Sequence, residues 1–197
     1  MLTIFDWSGT VSDDIHQVFR TANYVLQYFG KQPLTLSDFR KNFQANPIEY
    51  YKNHGIIDEQ KIKELFQTYF PKEPPPKPVP GSVSAIEEIL RLSDVAIFSS
   101  HPQNFLESEA RRYGLRPDIK LIGGADKTYP SSALNQLIDS QPKSEVIYFG
   151  DTGIDVTLAN STGLVSVAVA QSQGYHPREK LKKSNPCYII DSITAAP

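Results

Sequence analysis

Short apolar runs alternate with amphipathic stretches along most of the chain. Buried strands of a parallel sheet are continuously apolar, whereas an amphipathic helix repeats its apolar positions every three or four residues. The runs that fit the strand pattern lie at residues 2–5, 95–98, 121–122, 146–149, 164–169 and 188–190. These runs predict the strands of a mostly parallel sheet.

Helical stretches separate the later strands. They lie near residues 83–92, 104–113, 131–139 and 154–160. Ser84 and Glu87 have the spacing of a capping box and predict the start of the first of them. Strand and helix therefore alternate, which is typical of right-handed crossovers and of the α/β class.

A helical segment interrupts this alternation directly after the first strand. Apolar residues recur there at helical spacing; they are Ile15, Val18, Phe19, Ala22, Leu26 and Phe29, then Ile62, Leu65, Phe66, Tyr69 and Phe70. The proline-rich segment 71–80 predicts an extended linker, because proline fixes φ and removes a backbone donor. We expect a core domain of residues 1–14 and 80–197 and a small all-helical cap domain of residues 15–79. Because the cap domain is inserted after the first strand, we expect it to form a lid over the carboxyl ends of the strands.

Composition narrows the class of partner. With 197 residues, 40% of them hydrophobic, the chain can bury one core and a small second domain. Its 20 basic and 22 acidic residues leave no basic surplus for nucleic acid or an anionic membrane, so we expect a small-molecule partner. The single cysteine, Cys187, fits a reducing compartment and is expected to be a small buried side chain. A basic leader and an apolar run of about 20 residues are both missing, so we expect a cytoplasmic protein.

Polar side chains follow the predicted strands where those strands end. They are Asp6, Ser8 and Thr10 after the first run, Ser99, Ser100 and His101 after the second, and Asp151 and Asp155 after the fourth, with Lys127 in the loop before the fourth. The carboxyl ends of parallel strands meet at one edge of the sheet, where α/β proteins bind ligands. A carboxylate, a hydroxyl, an ammonium group and an acidic cluster are what phosphoryl transfer to an aspartate requires.

In this order the residues resemble the haloacid dehalogenase superfamily, over nearly the whole chain. The similarity is to its phosphohydrolases with a helical cap after the first motif, such as the phosphoglycolate phosphatases. It implies a Rossmann-like, three-layer core with a parallel sheet. It also implies that Asp6 is the nucleophile, Ser99 the hydroxyl of the second motif and Lys127 the lysine of the third. Asp151 and Asp155 correspond to the acidic fourth motif.

The resemblance further implies a cofactor and a phosphate site. Mg²⁺ would be held by Asp6, the Ser8 carbonyl and Asp151, with Asp155 either binding the metal or only capping a helix or orienting its neighbours. The phosphate would be held by side chains and backbone N–H groups of Gly9, Thr10, Ser99, Ser100, His101 and Lys127. The expected ligand is therefore a small phosphorylated molecule, and oligomeric state stays open.

Ser8 departs from the phosphatase pattern, in which a second aspartate protonates the leaving oxygen. A serine hydroxyl is not an acid near neutral pH, and general acid catalysis is worth about 10²–10⁴-fold. Three alternatives follow. The leaving group needs no proton, as in an acyl phosphate; another residue donates it, with His101 ahead of His16 and His54; or the protein is a regulator that binds a phosphorylated ligand.

A fourth alternative comes from the phosphonoacetaldehyde hydrolases, whose Asp-Trp-Ala-Gly-Thr is close to the segment from Asp6 to Thr10 here. Those enzymes also need a Schiff-base lysine in the cap. Lys41 and Lys52 lie in the predicted cap, but neither has surroundings that match that branch. The favoured hypothesis is a Mg²⁺-dependent phosphatase of a small phosphorylated metabolite, with its substrate undetermined.

Overall fold

The computed structural model describes residues 1–44 and 47–195. The strands of the described residues are β1 (Leu2–Phe5), β2 (Ser12–Asp13), β3 (Lys77–Pro78), β4 (Asp94–Phe98), β5 (Lys120–Ile122), β6 (Val146–Gly150), β7 (Val165–Val169) and β8 (Tyr188–Ile190). Their α-helices are α1 (Ile15–Tyr28), α2 (Leu36–Asn42), α3 (Pro47–Asn53), α4 (Glu59–Tyr69), α5 (Ser82–Ile89), α6 (Gln103–Tyr113), α7 (Ser132–Ile138), α8 (Gly153–Thr162) and α9 (Arg178–Lys182).

A six-stranded parallel sheet in the order β5-β4-β1-β6-β7-β8 forms the core. The first strand of the chain lies inside the sheet, where Ile4 is opposite Ala96 of β4 and Tyr148 of β6. The predicted α/β class is confirmed. Because all six strands are parallel, the ends of β1, β4 and β6 emerge together at one edge.

Helices cover both faces of this sheet. Side chains alternate between the faces along a strand, so Phe5 and Ile4 point in opposite directions. Phe5 belongs to a cluster with residues of α5 and α6, whereas Ile4 belongs to a cluster with residues of α7 and α8. The result is the three-layer, Rossmann-like arrangement that the resemblance implies.

The described chain divides into two compact units. One contains Met1–Asp13 and the described residues from Lys77 onward, and the other is Asp14–Pro76. In the second unit α1 packs on α4, with Tyr24 and Tyr69 stacked at 4.2 Å between ring centroids. The regular secondary structure of its described residues is helical, and turns and irregular segments join the helices.

Several local features differ from the sequence prediction. Helices α2 and α3 are absent from it, because each has only seven residues and too few apolar positions for a periodic pattern. The proline-rich segment is not extended throughout, because it begins in a 3₁₀ turn at Phe70–Lys72. It is also more than a linker, because its strand β3 pairs antiparallel with β2.

The predicted capping box at Ser84 is wrong. Helix α5 begins at Ser82, directly after Gly81 at φ 80°, and no side chain caps it. The expected burial of Cys187 is also wrong, because that residue is exposed. Across the described residues, none of the helices combines the length and the hydrophobicity needed to span a bilayer.

Candidate active site

Asp6 directly follows β1 and lies inside the protein. Its backbone N–H donates to the carbonyl of Phe149 at 2.8 Å, which continues the β1–β6 pairing by one residue. Only 3% of Asp6 is exposed. Burial raises the pKa of its carboxyl group, Lys127 lowers it and Asp155 raises it, with a result of about 6. Asp6 is therefore a mostly ionised carboxylate at neutral pH.

Lys127 joins two of the buried carboxylates. Its ammonium group donates to Asp6 Oδ1 and, at 2.8 Å, to Asp155 Oδ1. Burial alone would lower the pKa of Lys127, but the charges of Asp155 and Asp6 outweigh burial and hold that pKa well above its ordinary value. The lysine is thus a fixed positive charge beside Asp6.

Asp151 completes an acidic cluster with Asp6 and Asp155. One carboxylate oxygen from each residue lies within 4.8 Å of the other two, and all three residues are buried. Burial and then the charges of Asp6 and Asp155 raise the pKa of Asp151 well above its ordinary value. Three clustered carboxylates, two of them hydrogen-bonded to Lys127, fit a divalent cation, because hard cations prefer carboxylate oxygens.

The turn after Asp6 is packed against this cluster. Gly9 has φ 74°, and a Cβ atom there would lie 2.3 Å from Asp151 Oδ2, so only glycine fits. The Thr10 hydroxyl donates to Asp151 Oδ1 at 3.4 Å. The N–H groups of Gly9 and Thr10 donate to the carbonyls of Ser12 and Trp7, so both are used within the turn. The structure thus brings both residues to the cluster, with these two donors already engaged.

Ser8 is partly exposed in the same turn, where it forms an isolated bridge with Ser12.

The loop after β4 carries the other predicted phosphate contacts. Ser99 is buried, and its Oγ accepts the backbone N–H of His101 at 3.1 Å. His101 is half-buried and Ser100 is exposed. The Ser99 N–H donates to the Ile122 carbonyl, and the Ser99 carbonyl accepts the Ala125 N–H.

Asp155 has a capping and orienting role, the alternative to metal contact that the sequence left open for it. Its Oδ2 accepts the Thr152 N–H at 3.1 Å and the Thr152 hydroxyl at 2.5 Å, so the two residues form the capping box that starts α8. Its Oδ1 accepts from Lys127 and, at 3.3 Å, from the Tyr148 hydroxyl. The three-residue spacing of Thr152 and Asp155 is a signal in the sequence that could have predicted this cap.

Two other supporting residues come from late in the chain. Gln171 is buried, and its Nε2 donates to the carbonyls of Gly9 at 2.7 Å and Thr10 at 2.9 Å. The backbone N–H of Tyr175 donates to Asp151 Oδ2 at 2.5 Å. Neither contact has a signal in the sequence, because about 160 residues separate Gln171 from its partners and the donor of Tyr175 is backbone.

Comparisons with known proteins identify the family. The sequence model of the haloacid dehalogenase-like hydrolases matches residues 3–169. A phosphoglycolate phosphatase from Synechococcus elongatus is 26% identical over 96% of this chain and 92% of its own. Another phosphoglycolate phosphatase, from Pseudomonas syringae pv. syringae, is 21% identical over 98% of this chain and 76% of its own.

Solved structures have the same fold. A haloacid dehalogenase-like family protein from Streptococcus pneumoniae has a TM-score of 0.82 at 18% identity, over 98% of this chain and 94% of its own. A hydrolase from Pseudomonas syringae has a TM-score of 0.78 at 17% identity, with the same coverage. The family match spans most of the chain, including the end of every strand that carries an acidic residue of the cluster. This chain therefore belongs to the haloacid dehalogenase-like hydrolase family.

Proposed function

We propose that this protein is a Mg²⁺-dependent phosphohydrolase of a small phosphorylated metabolite, with an aspartyl-phosphate intermediate on Asp6. The observation that carries the proposal is the buried Asp6 carboxylate, hydrogen-bonded to Lys127 and clustered with Asp151 and Asp155. The phosphoglycolate phosphatases among its relatives support the reaction class. At 26% identity or less they leave the substrate itself open.

The reaction has two steps. An oxygen of Asp6 attacks phosphorus, a new O–P bond forms, and the bond from phosphorus to the leaving oxygen breaks with its electron pair. Water then attacks phosphorus of the aspartyl-phosphate: its O–P bond forms, the O–P bond to Asp6 breaks, and a proton of the water passes to solvent. Inorganic phosphate and the Asp6 carboxylate are the products. Lys127 stays charged throughout and offsets the negative charge shared by Asp6 and the phosphoryl group.

The acidic cluster is the proposed metal site. Asp6, Asp151 and the Ser8 carbonyl would hold Mg²⁺, which supplies positive charge to the phosphoryl oxygens when it is bound. Asp155 lies beside them, but its hydrogen bonds to Thr152, Tyr148 and Lys127 favour an orienting role. Ser99, Ser100 and His101 are the proposed phosphate contacts, and Gly9 and Thr10 shape the turn around them.

The phosphonate alternative has less support. A Schiff-base lysine needs a desolvated amine or a second cation nearby. The side chains of Lys41 and Lys52 are instead 68% and 49% exposed, and each faces a carboxylate, of Asp38 at 3.7 Å and of Glu59 at 2.8 Å. We therefore propose phosphate ester or anhydride chemistry.

Replacing the nucleophile tests the proposal. We expect Asp6→Asn to abolish phosphate release from acetyl phosphate, because the amide cannot form the O–P bond. Asp139→Asn, at an exposed carboxylate after α7, is the matched control and should keep the wild-type rate. Phosphate release is measured with Mg²⁺ and with a chelator, on acetyl, aryl and alkyl phosphates.

Each of the other hypotheses predicts a different result. Turnover by Asp6→Asn at the wild-type rate would exclude Asp6 as the nucleophile. A wild-type protein that binds a phosphate analogue but turns over none of the three substrates would favour the regulator. Cleavage of phosphonoacetaldehyde that borohydride blocks would favour the phosphonate branch.

A further inference from the structure

Trp7 is the only tryptophan of the chain and directly follows the proposed nucleophile. It is fully buried, and its indole N–H donates to Glu109 Oε2 at 2.7 Å. Its ring stacks on Tyr113, with 5.3 Å between centroids and 16° between planes. Glu109 and Tyr113 are four residues apart on α6, so they share one face of that helix. A single turn of α6 therefore holds the side chain of Trp7, the residue that follows Asp6 in the sequence.

The same helix also holds the far end of the turn. The Tyr113 hydroxyl and Ser12 Oγ are hydrogen-bonded at 2.7 Å. Between these two attachments the Trp7 carbonyl accepts N–H groups from Thr10, Val11 and Ser12, at 3.3, 2.8 and 2.8 Å. Residues 7–12 thus form a closed turn that α6 fixes at both ends.

Glu109 is an unusual residue at this place, because only 7% of it is exposed. A buried carboxylate is costly unless it is paired, and its retained hydrogen bonds are strong because they are charge-assisted. Arg112 Nη2 lies 3.5 Å from Glu109 Oε1, while Oε2 faces the indole. The carboxylate thus has one oxygen directed at a cation and the other at Trp7, which restricts the Trp7 side chain to one orientation.

We propose that Glu109 is a positioning residue, which acts through Trp7 to hold the backbone from Asp6 to Ser12 in place. The Asp6 carboxylate and the Ser8 carbonyl both depend on this backbone. The effect on the reaction rests on the proposed function, whereas the effect on the turn does not. Misplacing a reacting group by about 1 Å can cost about 10²-fold in rate.

Substitutions on α6 test the proposal. Glu109→Leu removes the acceptor, Glu109→Gln keeps an acceptor oxygen without the charge, and Glu107→Gln changes an exposed glutamate on the same helix as a control. We expect Glu109→Leu to lower kcat on acetyl phosphate about tenfold or more with KM within about twofold. Glu109→Gln should recover kcat to within about threefold, and Glu107→Gln should match the wild type.

Hydrogen exchange of the backbone amides provides a readout that needs no turnover. We expect faster exchange at Thr10, Val11 and Ser12 in Glu109→Leu and unchanged exchange there in Glu107→Gln, because these amides donate to the Trp7 carbonyl. A general loss of stability would instead speed exchange across the core strands as well. The two patterns separate positioning from a merely structural role.

A folded Glu109→Leu protein with wild-type kcat and wild-type exchange at the turn would overturn the proposal. Should Glu109→Leu fail to fold, Trp7→Phe replaces it, since phenylalanine keeps a ring but removes the N–H donor. It should then show the same loss of kcat and the same faster exchange, and wild-type values for both would refute the idea. If the wild type itself releases no phosphate, the proposed function fails, while exchange at the turn still decides this inference.

Discussion

Lys127 connects the proposed nucleophile to the start of a helix. One ammonium group donates to Asp6 Oδ1 and to Asp155 Oδ1, and Asp155 in turn caps α8 through Thr152. A change at any of these side chains is therefore transmitted to Asp6. Ser8 lies outside this network: it is partly exposed and forms a bridge with Ser12. Its side chain can therefore be replaced without removing a hydrogen bond of this network.

Ser8→Asp should raise the hydrolysis of alkyl phosphates. An alkoxide leaves slowly without a proton, and a carboxylic acid at position 8 would supply one, an effect worth about 10²-fold or more. Ser8→Asn is the matched control, since it has the same shape but no acidic proton, and it should leave the rate near that of the wild type. The measurement is single-turnover release of alcohol from an alkyl phosphate and of acetate from acetyl phosphate, which reports the first step alone. Acetate release should change little, because that leaving group needs no proton.

An unchanged alkyl phosphate rate in Ser8→Asp would contradict this view of the leaving group. It would mean that another residue already donates the proton, with His101 the candidate in the loop after β4. A His101→Gln variant that loses alkyl but not acetyl phosphate turnover would then identify the donor.

The first turn of helix α8 is hydrogen-bonded to the candidate active site. Thr152 donates its N–H and its hydroxyl to Asp155, and Asp155 also accepts from Lys127 and Tyr148. The cap thus fixes both the start of the helix and the orientation of a carboxylate in the cluster. Gly150 at the end of β6 belongs to the same arrangement, because a Cβ there would lie 2.3 Å from the Asp155 Cβ.

Thr152→Ala should therefore lower both stability and activity. Loss of an N-cap hydroxyl costs about 0.5–2 kcal/mol in the free energy of unfolding, and the freed Asp155 should lower kcat as well. Thr157→Ala is the control on the same helix, since that exposed hydroxyl donates to the Gly153 carbonyl, at 2.7 Å, and does not belong to the capping box. We expect it to change stability by less than about 0.5 kcal/mol. Urea unfolding and kcat check both, and equal effects of the two variants would refute the special role of the cap.

Across the whole molecule, the sequence predicts the elements that have a local hydrophobic pattern. It does not predict contacts between residues that are far apart in the sequence. The strands of the main sheet are found because buried parallel strands are continuously apolar, and the cluster is found because their carboxyl ends meet at one edge. Gln171 and Glu109 are missed because each acts on the turn after Asp6 from more than 100 residues away. A single sequence has no pattern that joins such residues, so only the folded chain reveals them.

At the acidic cluster, the fold buries more acidic than basic side chains. Asp6, Asp151 and Asp155 are all buried, and Lys127 is the cation bonded to two of them. Burial raises the pKa of Asp6 from 3.8, Lys127 lowers it and Asp155 raises it, to about 6 overall. The folded protein without metal therefore holds this proton more tightly than the unfolded chain does.

The sign of the pH effect follows from linkage. The stabilisation from the Asp6 proton is fully present below about pH 3.8 and is lost as pH rises through about 6. In chelator, we expect the free energy of unfolding of the wild type to fall relative to Asp6→Asn by about 1–3 kcal/mol between pH 4 and pH 7. Asp6→Asn is the reference because it lacks this titration, and urea unfolding at each pH measures the difference. Saturating Mg²⁺ at pH 7 should stabilise the wild type more than the variant, because a cation held at the proposed site would bind only the folded cluster. A constant difference between the two proteins from pH 4 to pH 7 in chelator would show that Asp6 does not carry the buried charge inferred here.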